Sequence, residues 1–324
     1  MKPSIPNTKP IRVLLTMGDP AGIGPELCLR VMRQHLPPDD VALTVVGSLS
    51  LLREMADKLG IDVELPAVSR PVESARQVGI LDPNNYPPDS LPDPPGPTAR
   101  GGRASVDYIE RAVSAVMGRE ADALVTGPIS KKAIGKAGYP YPGHTEMLGE
   151  LTATTHPVML LINGALRVGF ATTHTALESI PGALTAVRIA RTAKVLARDL
   201  VRYFGIPEPR IGVCALNPHG GDEGRFGDEE SRIIEPAVEQ IRDQGWQVTG
   251  PLPSDTLFTR ALDGHFDGVL AMYHDQGMIP IKLSGLGNVV NVTLNLPIIR
   301  TSPGHGTAYD IAGKGKAVPD STRA

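Results

Sequence analysis

The sequence predicts an α/β fold built around a largely parallel sheet, and three observations lead to this prediction. Apolar runs typical of buried strands alternate with helix-like segments along most of the 324 residues. Apolar residues make up 41% of the chain but aromatic residues only 4%, so the core must consist mainly of Val, Leu, Ile and Ala, as in a parallel sheet covered by helices. The 35 Gly and 31 Pro indicate many turns, yet their share stays below that of low-complexity chains.

Charge, cysteine content and hydropathy exclude several classes of protein. The 32 Lys and Arg against 35 Asp and Glu give a net charge of −3, so there is no basic surplus for a nucleic-acid partner. Cys28 and Cys214 form no CxxC pair, so neither a disulfide framework nor a thiolate metal site is expected. The N-terminus has no apolar signal core, and no apolar run reaches about 18 residues. We therefore expect a cytoplasmic protein without a membrane partner.

The first elements are marked by their boundaries. Ile11–Met17 is predicted as a buried strand that stops at a Gly-Asp-Pro turn. A helix follows near Pro25, because proline is favoured in a first helical turn. Val41–Gly47 is the second strand. Ser48 is suited to cap the next helix, and Gly60 is suited to end it in the left-handed conformation.

The remaining elements continue the alternation. Further strands are predicted at Ala121–Thr126, Pro157–Asn163, Leu166–Thr172, Arg210–Leu216 and Asp267–Tyr273, and long helices at Pro181–Phe204 and Glu229–Gln244. Between Asp82 and Pro97 proline recurs every few residues, which predicts an extended surface loop, with a disordered linker as the alternative.

Three histidines follow predicted strands directly. His174, His219 and His274 each lie just past the carboxyl end of a strand-like run. Ligand sites of open α/β sheets form at those ends. Three imidazoles that converge there would hold Zn²⁺ or a similar divalent ion and leave positions open for a substrate. The alternative is that they are unrelated loop histidines.

Other residues are candidates for binding an anion. His144 and Thr145 precede a predicted helix, whose N-terminus favours a phosphate or carboxylate; an ordinary N-cap by Thr145 is the alternative. Lys282, Asn291 and Arg300 lie in a strand-turn region rich in Gly and Pro. If these three residues lie together, they would bind an anion. The alternative is that they are separate surface residues.

Two glycine-rich segments would allow a ligand close to the backbone. GDPAGIGPE, residues 18–26, joins a strand to a helix but lacks GxGxxG, so a tight turn explains it as well. TSPGHGTAYDIAGKGKA, residues 301–317, contains Asp310, an acidic group suited to bond a ribose hydroxyl. The alternative for this second segment is a glycine-rich terminal loop.

Segments spread from residue 18 to about 317 also carry a family resemblance. They are GDPAGIGPE, GPISK, PGHTEML, LNPH, PSDTLF, YHDQGMIPIKL, VNVTLNLPIIRTS and HGTAYDIAGKGKA. Together they resemble the 4-hydroxythreonine-4-phosphate dehydrogenase family of vitamin B6 synthesis, and YHDQG with LNPH is specific to that family and its close relatives.

The resemblance implies a role for each matching residue. It implies divalent-metal ligands at His174, His219 and His274, and substrate contacts at His144, Thr145, Lys282, Asn291 and Arg300. The HGTAYDIAGKG segment also looks like the adenosine-binding loop of isopropylmalate dehydrogenases, which implies cofactor contacts at Gly304, His305, Gly306, Thr307 and Asp310. Asp310 favours NAD over NADP, because a carboxylate accepts from a ribose 2′-hydroxyl and repels a 2′-phosphate. Asp255 is the candidate catalytic carboxylate, with a structural cap as the alternative.

The resemblance further implies an isocitrate/isopropylmalate dehydrogenase-like fold with two α/β/α domains flanking a cleft. Residues 1–138 with 295–324 are expected to form the first domain, on the cofactor side. Residues 139–294 are expected to form the second, which carries the metal, the substrate and the dimer contacts. A homodimer is implied, with the metal site shared between subunits and one divalent ion per site: Zn²⁺, Co²⁺, Mn²⁺ or Mg²⁺.

The implied reaction is NAD-dependent oxidation and decarboxylation of a 4-phosphorylated 3-hydroxy acid, with 4-hydroxythreonine 4-phosphate giving 3-amino-2-oxopropyl phosphate. Parts of the C-terminal segments look closer to a branch that oxidises D-threonate or D-erythronate 4-phosphate, so the 2-substituent stays open. A more distant relative oxidises an aromatic cis-dihydrodiol. Two further alternatives are a metal-dependent hydrolase or lyase without NAD, and a non-catalytic binding protein.

Overall fold

The computed structural model describes residues 9–34, 38, 40–83, 86–87, 91–285 and 287–324. Its contacts divide the chain into two compact units. Unit 1 is Met1–Thr155 with Leu296–Ala324, and unit 2 is His156–Asn295. Strands and helices are numbered β1–β11 and α1–α11 in chain order.

Unit 1 has a parallel sheet covered by helices. Its strands are β1 Ile11–Thr16, β2 Val41–Val46, β3 Val78–Leu81, β4 Ala123–Thr126 and β11 Ile299–Pro303. Its helices are α1 Gly24–Gln34, α2 Leu49–Leu59, α3 Ala99–Met117, α4 Lys131–Lys136, α5 His144–Leu151 and α11 Asp320–Arg323. The strand order is β3-β2-β1-β4-β11, and each neighbouring pair is parallel.

This order brings the carboxyl ends of β1, β4 and β11 together at one edge of the sheet. The loops that leave these ends pack closely, since Asp19 N–H donates to Pro128 O at 2.8 Å. Glycine is needed for that approach: a Cβ on Gly127 would lie 2.4 Å from Thr16 O. Two of the glycine-rich segments singled out above, residues 18–26 and 301–317, begin at this edge.

Unit 2 has a mixed sheet. Its strands are β5 Val158–Asn163, β6 Leu166–Phe170, β7 Ile211–Cys214, β8 Val248–Leu252, β9 Gly268–Ala271 and β10 Val290–Leu294. Its helices are α6 Ile180–Ala183, α7 Ala186–Phe204, α8 Glu235–Arg242, α9 Ser254–Leu262 and α10 His274–Leu283. The strand order is β10-β5-β6-β9-β7-β8; β5 is antiparallel to both of its neighbours, and the pairs from β6 to β8 are parallel.

The predicted α/β class is confirmed, and most predicted strands and helices are present with shifted ends. Ser48 caps α2 by accepting Leu51 N–H, and Gly60 ends α2 at φ 60°, as predicted. The prediction of one helix over Pro181–Phe204 is corrected, because extended residues Leu184 and Thr185 separate α6 from α7. The helix predicted over 229–244 begins with a π-helical turn, Glu230–Ile234, which precedes α8. In the Asp82–Pro97 segment, residues 84–85 and 88–90 lie outside the described residues.

The boundary of the first unit differs from the expected one at residue 138. Helix α5 belongs to unit 1, because its buried Met147 and Leu148 join the apolar core formed around β1, β2 and α3. His144 therefore lies in unit 1. Within the described part of the chain, no helix has the length and apolarity required to span a membrane.

Candidate active site

A buried arginine marks the first part of the candidate site, in unit 1. Arg300 projects from β11 and is 0% exposed. Its Nε donates to Thr126 Oγ1, on the adjacent strand β4, at 3.1 Å. Burial lowers the pKa of the Arg300 guanidinium to about 9. An anion bound here would offset the cost of holding this cation away from water.

His144 lies beside this arginine as the first residue of α5. Its ring makes a backbone hydrogen bond with Gly127, and burial followed by repulsion from Arg300 holds its pKa well below 6.5. The ring is therefore neutral, and its buried Nε2 has no hydrogen-bond partner among the described residues. The N-cap of α5 is Gly143, which makes no side-chain cap, so the interpretation of Thr145 as the N-cap is wrong. The first backbone N–H groups of a helix have no intrahelical partner, so the start of α5 is suited to an anion.

A second buried group in unit 1 was missed from the sequence. Asp19, in the GDPAGIGPE segment, is 0% exposed. Its Oδ1 accepts Ala21 N–H at 2.9 Å and its Oδ2 accepts from Tyr309 Oη at 2.7 Å. Burial raises the pKa of this carboxyl. Ile23 N–H also donates to Thr307 O at 2.9 Å, so the segment packs on the loop that holds the predicted cofactor contacts.

That loop follows β11 and presents several of its residues to solvent. Gly304 N–H donates to Ser321 Oγ at 2.9 Å, which anchors the start of the loop. His305, Gly306 and Asp310 are exposed, and Thr307 is half-buried. The predicted cofactor residues therefore share one loop, whose start is held by the hydrogen bond from Gly304 to Ser321 and whose other residues are partly accessible.

Two of the predicted metal ligands lie together in unit 2. The ring centroids of His174 and His274 are 5.8 Å apart. They follow β6 and β9, which are parallel neighbours. His274 Nδ1 is 2.6 Å from Asp275 Oδ1, and this contact favours the tautomer that leaves the Nε2 lone pair available to a metal ion.

His219 lies on a turn after β7 with an unusual backbone. From His219 to Gly224 every residue has a positive φ, between 45° and 89°. Glu230, from the π-helical turn, supports the start of this loop, because its Oε1 accepts Leu216 N–H at 2.8 Å and Asn217 N–H at 2.7 Å. Strained left-handed residues persist only where such contacts hold them.

The imidazole nitrogens are suitable ligands for a divalent ion, but one chain brings too few of them together. Among the described residues, no group of three His, Cys, Asp or Glu side chains lies close enough to hold a metal ion. The His174–His274 pair, with Asp275 behind it, is the arrangement that metal-binding histidines prefer. The pair supplies fewer ligands than the three protein ligands of a catalytic zinc site.

The remaining predicted residues occupy separate positions in unit 2. Lys282 lies exposed in the last turn of α10, and not in the strand-turn region expected for it. Asn291 on β10 faces Leu161 of β5, and its buried Oδ1 is without a partner in the described structure. Asp255 is exposed in the first turn of α9, where it accepts Thr256 N–H at 2.9 Å. This contact is compatible with the structural alternative stated for Asp255.

Comparison with known proteins gives the family. The sequence model of the pyridoxal phosphate biosynthetic protein PdxA matches residues 39–324. The chain belongs to this family. A relative from Pseudomonas aeruginosa, named 4-hydroxythreonine-4-phosphate dehydrogenase, is 44% identical over 313 residues, which are 94% of this chain and 93% of the relative. A relative of the same name from Geobacter metallireducens is 43% identical over 324 residues, covering 99% and 94%.

Solved structures agree with this family. A 4-hydroxythreonine-4-phosphate dehydrogenase from Klebsiella pneumoniae superposes with a TM-score of 0.86 at 40% identity, covering 98% of this chain and 97% of that one. A terephthalate 1,2-cis-dihydrodiol dehydrogenase from Burkholderia xenovorans gives a TM-score of 0.64 at 31% identity, covering 97% and 96%. The predicted family and the oxidoreductase class are confirmed, and PdxA membership implies a nicotinamide cofactor and a divalent metal ion.

Proposed function

We propose that this PdxA-family chain catalyses the NAD-dependent, divalent-metal-dependent oxidation and decarboxylation of 4-hydroxythreonine 4-phosphate to 3-amino-2-oxopropyl phosphate. The observation that carries the proposal is the buried Arg300, held by Thr126 and flanked by the neutral His144 at the start of α5. An enclosed guanidinium beside a helix N-terminus suits a phosphate ester.

In this proposal the chain holds the substrate by its phosphate. Arg300 donates two parallel hydrogen bonds, His144 presents its ring, and Thr145 adds a hydroxyl from the same helix turn. Lys282 and Asn291 are the further substrate contacts. Fixing the phosphate orients the 3-hydroxyl carbon for hydride transfer, which lowers the entropic part of the barrier.

The reaction centre is assigned to the imidazoles and the glycine-rich loop. His174, His219 and His274 would hold the divalent ion, with Asp275 keeping His274 in the ligand tautomer. When bound, the ion supplies Lewis-acid polarisation of substrate oxygens and NAD supplies the hydride acceptor. Gly304, His305, Gly306, Thr307 and Asp310 would bind the dinucleotide. Asp310 favours NAD over NADP, and Asp255 is the proposed proton-handling carboxylate.

We assign the active form to a homodimer in which the metal site is shared. The His174–His274 pair requires another ligand. Large apolar side chains of unit 2 are also exposed: Leu283 by 81%, Val187 by 72% and Leu177 by 71%. A second copy of this chain would cover such side chains.

Steady-state kinetics test the substrate and cofactor. We expect the highest kcat/KM with 4-hydroxythreonine 4-phosphate and NAD, with CO₂ released in proportion to NADH. A higher kcat/KM with D-threonate or D-erythronate 4-phosphate would move the chain to that alternative, and preference for NADP would refute the role of Asp310. If NAD⁺ neither supports turnover nor raises the melting temperature, a metal-dependent hydrolase or lyase becomes the better assignment.

A ligand variant tests the metal assignment. His219→Ala is expected to lose metal binding and turnover while remaining folded, because His219 is exposed on its loop. Metal content after reconstitution and circular dichroism are the measurements, and exposed His265→Gln is the control. Full activity of His219→Ala would refute the assignment.

A further inference from the structure

The strand ends that carry the candidate metal ligands are joined by the side chain of Gln276. β7 and β9 pair in register up to Val213 opposite Leu270, where their ladder ends. Continuing that register would bring Ala215 opposite Met272. The Gln276 amide lies between these two residues: its Oε1 accepts Met272 N–H at 2.6 Å, and its Nε2 donates to Ala215 O at 2.7 Å. A side-chain amide thus replaces the next rung of the ladder.

The partners of this amide fix its orientation. A backbone N–H can only donate and a backbone carbonyl can only accept, so the oxygen must face Met272 and the nitrogen must face Ala215. The second amide hydrogen is directed to Ser254 Oγ at 2.8 Å, at the start of α9. Both amide hydrogens of Gln276 are therefore used. The amide sets the distance between β7 and β9 at the point where β7 leads to His219 and β9 leads to His274.

Met272 is also bonded to the segment that follows β6. Thr172, two residues before His174, donates to Met272 O through its Oγ1 at 2.7 Å and through its N–H at 3.2 Å. Met272 is thus fixed through its N–H by Gln276 and through its carbonyl by Thr172. The carboxyl ends of β6, β9 and β7 form one hydrogen-bonded unit with Gln276 at its centre.

We propose that Gln276 is a positioning residue for the divalent-metal site, acting by setting the separation of the strand ends that present His174, His274 and the His219 turn. The proposal rests on the metal ligands of the proposed function. Metal affinity depends on ligand spacing, and supporting residues behind the ligands typically contribute a factor of about 10–100 in affinity.

Two variants of Gln276 separate this role from packing. Gln276→Glu keeps the shape and the acceptor for Met272 N–H, but it sets a carboxylate oxygen against the Ala215 carbonyl. Gln276→Met keeps the length and removes all three hydrogen bonds. We expect the Kd for Mn²⁺ or Zn²⁺, measured by chelator competition without substrate or NAD, to rise at least about tenfold in both. The visible spectrum of the Co²⁺-loaded protein is expected to change as well.

The matched control is Gln244→Glu. Gln244 is exposed and its side-chain amide donates to Gln240 O in the preceding helical turn, so the same charge change there is expected to leave the Kd and the Co²⁺ spectrum unchanged. Ser254→Ala is a milder variant that removes one hydrogen bond of Gln276. It is expected to raise the Kd roughly two- to tenfold, and it tests the network if Gln276→Met does not fold.

The outcomes distinguish this inference from the proposed function. Unchanged metal affinity and an unchanged Co²⁺ spectrum in the Gln276 variants, together with loss of binding in His274→Ala, would overturn the positioning role and leave the proposed function intact. Binding by His274→Ala equal to that of the wild type would overturn the ligand assignment, and the positioning role with it.

Discussion

At the scale of single residues, Arg300 and His144 carry the assignment of a phosphate site. Both side chains are enclosed: burial lowers the pKa of Arg300 to about 9, and burial together with repulsion from Arg300 holds the pKa of His144 well below 6.5. The proposed phosphate site therefore holds one guanidinium cation and one neutral imidazole. A dianionic phosphate would pair with this cation.

Arg300→Lys tests the guanidinium itself. Lysine keeps the charge but cannot donate two parallel hydrogen bonds, so we expect the KM for the phosphorylated substrate to rise about 10–100-fold, as for the loss of hydrogen bonds to a charged group. The stabilisation of the protein by inorganic phosphate is expected to fall as well. Steady-state kinetics and thermal shift are the measurements.

Arg103→Lys is the matched control, since Arg103 is exposed on α3 and pairs with Asp107. It is expected to match the wild type. An unchanged KM and an unchanged phosphate shift in Arg300→Lys would show that phosphate binds elsewhere.

His144 gives a pH-dependent prediction. Its pKa in the folded protein lies below 6.5, so the unfolded chain takes up a proton first as the pH falls. The contribution of the neutral ring to the free energy of unfolding is therefore complete above about pH 6.5 and decreases below it, by up to ~1.4 kcal/mol per pH unit. His144→Gln is expected to flatten the fall of the melting temperature between about pH 7 and pH 5.5 in phosphate-free buffer.

His265→Gln, at an exposed position, serves as the reference for this experiment and is expected to keep the wild-type slope. Equal slopes for His144→Gln and wild type would contradict a buried neutral imidazole.

The candidate residues could be predicted from sequence to the extent that their position along a strand was informative. His174, His219 and His274 were singled out because each follows a strand end, where ligand sites form, and their role as metal ligands stays a prediction. Asp19, Glu230 and Gln276 were not found. Some of their partners are distant in the chain, such as Tyr309 for Asp19. Others are backbone groups, whose contacts cannot be inferred from a hydropathy pattern.

At the scale of elements, the turn after β7 is the most specialised piece of backbone in unit 2. It has positive φ from His219 to Gly224, and the Glu230 carboxylate supports its first residues. A Cβ on Gly221 would lie 2.8 Å from Glu230 Oε2, whereas a Cβ on Gly224 would meet nothing within 4 Å. The two glycines have nearly the same φ, 84° and 89°, and so form a matched pair.

Gly221→Ala is expected to be more damaging than Gly224→Ala. In both variants a Cβ in the left-handed conformation lowers the free energy of unfolding by about 1–2 kcal/mol. Only Gly221→Ala also displaces Glu230, which lowers it by about 1–3 kcal/mol more if the hydrogen bonds of Glu230 are lost. Chemical unfolding measures this difference. Metal affinity is expected to fall in Gly221→Ala alone, and equal losses in both variants would contradict the supporting role of Glu230.

The sequence predicted elements well where local signals were strong and poorly where tertiary contacts decide. Ser48 and Gly60 bound α2 as predicted, because capping is local. Helix α10 was missed, since Pro280 inside it argues against a helix and its neighbours show little helical periodicity. The antiparallel orientation of β5 was also missed, because a buried apolar strand looks the same in either direction.

At the scale of the whole molecule, the proposed homodimer explains two features of unit 2. One is that, among the residues that the structure describes, no third ligand side chain joins His174 and His274. The other is the exposed apolar side chain of Leu283, at the end of α10, the helix that His274 begins. A second copy covering α10 would bury this side chain close to the element that carries the metal ligand.

Leu283→Asp tests this arrangement. A charge on an 81% exposed side chain costs a monomer little, but it is costly in an apolar interface. The variant is therefore expected to sediment as a monomer at micromolar concentrations, where the wild type is expected to be a dimer. Its metal affinity and turnover are expected to fall in parallel with the dimer fraction.

Val318→Asp, at a 61% exposed position in unit 1, is the control and is expected to stay dimeric. A wild type that sediments as a fully active monomer would contradict a shared metal site. A dimeric Leu283→Asp would place the interface away from the end of α10.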